Sequence, residues 1–195
     1  MLISWGLAGT PWKAGCREIF SGVINEMKTN DMVEMRVENL VFDPLTNTPI
    51  IILKDLLGNK SLPIWVGYPE ATAIALQMES VTTPRPMTHD LIKNILMGVK
   101  ASVNYICVND LKDSTFYAVI SIGAGKDEVE VDSRPSDAIA VALRLKAPIF
   151  VNQKVLENAK EYEVSPGPEQ GPDEENQVKR WLDAIKPSDF GQIDQ

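Results

Sequence analysis

Residues 103–143 read VNYICVNDLKDSTFYAVISIGAGKDEVEVDSRPSDAIAVAL, and the pattern of this stretch decides the fold. Alternation in FYAVISI puts Phe116, Ala118, Ile120 and Ile122 on one face of an extended segment. The polar runs NDLKDS and GAGKDE flank it as turns, and short turns favour antiparallel neighbours. Pro135 then opens an alanine-rich segment whose Ile139, Ala142 and Leu143 recur at helical spacing. Residues 37–78 run through the same order, with turns DPLTNTP and LLGNKS before YPEATAIALQM. Val37 matches Val103, Leu45 matches Leu111 and Leu53 matches Val119, all 66 residues apart. One residue of slippage later, Ala73-Ile74-Ala75 matches Ala138-Ile139-Ala140. The pattern predicts an α+β fold: a β-rich mixed domain with an internal β-β-β-α repeat.

Outward from this domain the composition changes on both sides. Residues 1–31 mix Trp5, Trp12 and glycines without clear periodicity, and a regular pattern begins only at MVEMRVENLVF. They read as a loosely ordered leader, with Met32 able to serve as a natural start. The domain is expected over residues 32–157. Residues 157–176 hold seven carboxylates against one lysine, plus Pro166, Pro168 and Pro172, so 158–176 reads as an acidic, Pro-rich linker. In residues 177–195, Val178, Trp181, Leu182 and Ile185 mark one face of a C-terminal amphipathic helix that Pro187 ends. A helix this short is marginal alone and is expected to dock on its own domain or on a neighbouring subunit.

The chain of 195 residues carries a formal net charge of -8, which argues against a broad basic surface that binds nucleic acid by charge alone. Its two cysteines, Cys16 and Cys107, make no disulfide framework. No apolar run is long enough to span a membrane, and the expected setting is the cytoplasm.

Between the two halves, PRPMTHD (residues 84–90) opens a segment that reads as a helix from Thr88 to Val99. Thr88 suits an N-cap, Asp90 suits the positive end of the helix dipole, and Leu91, Ile95 and Leu96 form the apolar face. His89, the one histidine of the chain, stands where an imidazole can act as acceptor or base. The second cluster, DSRPSDAIAVALR (residues 132–144), offers Ser133 or Ser136 as a cap, but capping has no use for Arg134. A guanidinium beside a positive dipole end makes sense where a carboxylate or phosphate sits on it. Asp137 and Arg144 are two turns apart on one face, too far for a direct pair, but able to line one groove.

Sharper motifs fail. GAGKDE lacks the Ser or Thr of a phosphate loop, and Glu128 breaks a dinucleotide pattern, so no organic cofactor is expected. One histidine and two distant cysteines make no zinc site. Carboxylates could still hold Mg²⁺ or Mn²⁺ through oxygen. A Ser136–His89–Asp137 relay can be drawn, but without a nucleophile elbow.

LPIWVGYPEATAIAL, PRPMTHDLIKNIL, DLKDSTFYAVI and DSRPSDAIAVALRLKAPIFV, in this order, resemble the bifunctional nuclease family over roughly residues 33–157. The resemblance implies a compact mixed α/β domain, a homodimer or higher homo-oligomer, and nuclease activity on DNA or RNA. It marks Arg85, His89 and Asp90 in the first cluster and Asp132, Arg134, Ser136 and Asp137 in the second, with Glu70 as a further addition. On the reading that follows, His89, Asp90, Asp132 and Asp137 are catalytic. Arg85, Arg134, Ser136 and Arg144 bind substrate, and a divalent Mg²⁺ or Mn²⁺ is held by carboxylates. The alternative is a non-catalytic oligomeric binding or regulatory module, in which the same charges are structural salt bridges.

Overall fold

The computed structural model describes residues 31–125, 127–159, 180, 181 and 184. Strands β1 (Met32–Phe42), β2 (Pro49–Asp55) and β3 (Ser61–Trp65) lead into helix α1 (Tyr68–Met78), and helix α2 (Thr88–Gly98) follows. Strands β4 (Ser102–Lys112), β5 (Thr115–Ala124) and β6 (Asp127–Ser133) lead into helix α3 (Pro135–Leu145). Strand β7 (Ile149–Asn152) and the short helix α4 (Gln153–Asn158) complete the described order. The strands form one mixed sheet in the order β3-β2-β1-β7-β4-β5-β6. The fold is therefore α+β.

Turn chemistry makes each half an antiparallel meander. Asp43 Oδ1 accepts the amides of Leu45 and Thr46 at 2.8 and 2.9 Å and folds the β1–β2 turn back. Asp113 and Ser114 both take positive φ, 48° and 58°, giving the tight two-residue turn that suits the twist between β4 and β5. β7 joins the halves at the centre of the sheet, antiparallel to β1 and parallel to β4.

The core lies where α1 and α3 pack on the sheet and on each other. Ile51, Leu53, Leu62, Ile74, Ile106, Ile139 and Val151 are fully buried. Each such side chain contributes about 1.5–3 kcal/mol relative to exposure. Ala118 and Ile120 of β5 sit in this core with Phe116 and Ile122 against it, as the alternation of FYAVISI requires. The alanines of α3 also have a reason. Ala138, Ala140 and Ala142 are fully buried, and their small size lets one helix touch both the sheet and α1.

Four local expectations need correction. The two halves share their element order, and Val37 and Val103, Leu53 and Val119, and the two Ala-Ile-Ala runs fall on corresponding strands and helices; the match of Leu45 to Leu111 fails, since Leu45 is an exposed turn residue while Leu111 lies on β4. The cause is turn length, since the first hairpin loops over residues 43–48 and the second over 113–114. Thr88 is not the N-cap of α2; Met87 is, and its amide is taken at 3.0 Å by the Asp90 carboxylate reaching back. Neither Ser133 nor Ser136 caps α3, because Arg134 itself occupies the N-cap position. Lastly, Leu91 and Ile95 do not face the core: both are 54 % exposed, because α2 packs chiefly on α3, and Ile92 makes the inward contact.

Apart from Asp31, Asn158 and Ala159, the leader and the linker lie outside the described residues, as does most of the C-terminal helix; Asn158 ends α4 and Ala159 is buried in the core. Of the tail, Trp181 sets its ring edge-on to Phe42, with centroids 5.5 Å apart, and also meets Tyr68 at the start of α1.

Candidate functional site

Three helix starts converge. α1 contributes Glu70, α2 contributes His89 and Asp90, and α3 contributes Arg134 and Asp137. Local sequence fixes each start. Pro69 and Pro135 stand in the first turns of α1 and α3, where a missing N–H costs nothing. Gly67 is the N-cap of α1, and the Glu70 carboxylate folds back over it.

Arg134 is the centre of the arrangement. Its Nη1 lies 2.9 Å from Glu70 Oε1, while Nε and Nη2 lie 2.7 and 3.1 Å from the two oxygens of Asp137. Asp137 Oδ1 is also 3.1 Å from His89 Nε2. His89 is buried and Glu70 and Asp137 are partly buried, yet the Arg134 side chain is 65 % exposed. Burial pushes the Asp137 carboxyl up, but hydrogen bonds from Arg134 and His89 outweigh it and hold the group below its ordinary value.

A second arginine lies behind this group. Arg144 Nε is 2.6 Å from Asp90 Oδ1, and its Nη1 donates to the carbonyls of Ala73 and Ala140, each at 3.0 Å. The side chain is 3 % exposed. Arg144 therefore ties α1, α2 and α3 together from inside, and does not line the groove proposed for it with Asp137. Burial raises the Asp90 carboxyl, but the Met87 amide and Arg144 together bring it below its ordinary value. An arginine inside the apolar run AIAVALRL signals an internal partner, although the sequence does not say which carboxylate supplies it.

The other candidates stay apart. Asp132 is exposed on β6 opposite Val119, on the other face of the strand from its neighbours Val131 and Ser133. Arg85 is exposed in the loop before α2, where its carbonyl accepts from the Thr83 hydroxyl. Ser136 is buried in α3, and no hydrogen bond joins it to His89. The Ser–His–Asp relay therefore has its His–Asp contact but lacks the serine. Burial, and then the neighbouring Glu130, push the Cys107 thiol up to about 12, which makes it a poor nucleophile.

Among the described residues, no three His, Cys, Asp or Glu side chains group as metal ligands. Glu70 on one side and Asp137 with His89 on the other are separated by the Arg134 guanidinium.

A family model for the bifunctional nuclease domain matches residues 51–163, which include every member of both arginine clusters. The chain belongs to the bifunctional nuclease domain family. An uncharacterized protein of Mycobacterium tuberculosis is 36% identical over 164 residues, covering 82% of this chain and 98% of that relative. Bifunctional nuclease 2 of Arabidopsis thaliana is 30% identical over 95 residues, 47% of this chain and 29% of the plant protein. Bifunctional nuclease 1 of Oryza sativa subsp. japonica is 26% identical over 100 residues, 50% of this chain and 30% of the rice protein. The shared part is thus under a third of each plant protein but nearly all of the bacterial one.

Proposed function

We propose that this chain hydrolyses phosphodiester bonds of DNA or RNA at the Glu70–His89–Arg134–Asp137 cluster. The observation that carries the reading is the exposed Arg134 guanidinium, held between two carboxylates where three helix N-termini meet. Helix N-termini and a guanidinium both favour an anion, and the outward N–H groups of Arg134 suit a phosphate oxygen. Asp137 fixes the His89 ring through Nε2, which leaves the second ring nitrogen for proton exchange. Water attack forms one P–O bond and breaks the ester P–O bond. The water's proton passes to the cluster, and the leaving oxygen is protonated in turn. Asp90 and Arg144 belong to the frame in this reading, while Asp132, Arg85 and Ser136 have no assigned step. The family supports nucleic acid as substrate, and the free, buried Cys107 suits the cytoplasm. A homo-oligomer remains part of the proposal.

The test uses purified chain and labelled single-stranded and duplex oligonucleotides. His89→Ala and Asp137→Ala should each lose hydrolysis by about 10²-fold or more. Full activity in both pure variants overturns the reading and points to a contaminating nuclease. One observation favours the alternative, a non-catalytic module: Arg134 already has its charge met within the chain, by Glu70 and Asp137. Pure wild-type chain that turns over no substrate would decide for the module.

A further inference from the structure

We propose that Arg134 is the resident cation of this site, standing where a divalent ion would otherwise bind, so that the cluster works without a metal. The inference takes the cluster as the functional site and deepens that reading. Two carboxylates and an imidazole from three helix starts are a donor set that a divalent ion commonly takes. In this fold, Glu70 and Asp137 hold a guanidinium between them instead, and His89 contacts Asp137.

The guanidinium is held by design of the backbone. Arg134 is the N-cap of α3 with φ -72° and ψ 145°, an extended conformation that the following Pro135 enforces. That geometry launches the side chain over the first turn of its own helix, where Asp137 takes Nε and Nη2 with both oxygens. Nη1 is left for Glu70 across the gap to α1. The lone pairs a metal would need are therefore used by N–H donors, and a second cation in the same place would meet a fixed positive charge.

The exposure of Arg134 explains how one group can replace the ion. A metal at a phosphodiester neutralises carboxylates on one side and developing phosphate charge on the other. Arg134 gives Nε and Nη2 to Asp137 and Nη1 to Glu70, while 65 % of the side chain is exposed. It can therefore do both without Lewis-acid chemistry.

Removing the guanidinium should turn the cluster into a metal site, and Mn²⁺ alone reads this without any nucleic acid. Titrations followed by calorimetry and by Mn²⁺ paramagnetic resonance should show no stoichiometric site in the wild-type chain. Arg134→Ala should gain one site, at least about tenfold tighter than any wild-type binding. Arg134→Ala with Glu70→Gln should lose it again, and Arg134→Lys, which keeps the charge, should not gain it. Unfolding curves of all variants show that each is folded before binding is read. Arg134→Met is the second removal variant, and serves if the alanine variant fails to fold. Wild-type chain that binds Mn²⁺ in a manner abolished by Glu70→Gln overturns the proposal. So does a folded Arg134→Ala or Arg134→Met that gains no site. Because these titrations contain no substrate, their outcome is independent of whether the wild-type chain proves to be a nuclease.

Discussion

Arg134 and Arg144 stand at the two ends of α3, and each is held by a carboxylate from another helix. Their surroundings set them apart. Arg144 is 3 % exposed, closed in by Asp90 and two backbone carbonyls; Arg134 is 65 % exposed. The same chemistry thus serves two purposes on one helix. Inside, a guanidinium is worth having only when its charge and donors are met, and losing one partner leaves an uncompensated buried charge. At the surface, water and salt screen the pair, so Arg134 adds little to stability and is left for a ligand.

Paired substitutions separate the two arginines. Arg144→Met should cost about 3–5 kcal/mol, because Asp90 and the Ala73 and Ala140 carbonyls lose their donor together. For a chain of this size that is a fall in Tm of roughly 6–20 °C in thermal unfolding. Arg134→Met should cost under about 1 kcal/mol in the same measurement. Its effect belongs on hydrolysis, which should fall by about 10²-fold or more. Equal losses of stability in the two variants would mean that Arg134 is framework too.

Much of the fold was legible because it rests on local signals. The alternation of FYAVISI, the turn residues and the paired helix starts all lie within a few residues of one another. The interior place of Arg144 was not legible, and the reason is distance along the chain. Arg144 meets Asp90 54 positions away and the Ala73 carbonyl 71 positions away, beyond any periodicity window. Glu70 faces Arg134 across a gap that the order of the two halves suggested but no spacing could confirm. The convergence of Glu70, His89, Arg134 and Asp137 needed the packing of three helices, which only the fold supplies.

Acid separates the two carboxylates by the same logic, with a smaller effect. Asp90 and Asp137 both lie below their ordinary value of 3.8. A depressed carboxyl contributes stability that is fully present above the unfolded value and is lost as pH falls through the folded one. Stability should therefore hold down to about pH 4 and decline below it. In Arg134→Met, Asp137 loses the largest of the bonds that lower it, so its share of the acid decline should shrink while that of Asp90 persists. Denaturation curves taken between about pH 2 and 6 read the difference. An unchanged acid limb in Arg134→Met would remove Asp137 from this account.

The smallest effect is expected on the outer face of α2. Leu91 and Ile95 sit one turn apart and are each 54 % exposed, whereas His89 on the same helix is buried beside Asp137. If α2 exists chiefly to present His89 and Asp90, its outer apolar residues do not hold the domain together. Leu91→Gln and Ile95→Gln should then change stability by no more than about 0.5 kcal/mol, as surface substitutions do. Hydrolysis should also be unaffected, since neither residue touches the cluster. A loss well above that bound would show that α2 rests on more than its inward contacts to α3. The division of labour drawn between the two arginines would then have to include the helix that faces both of them.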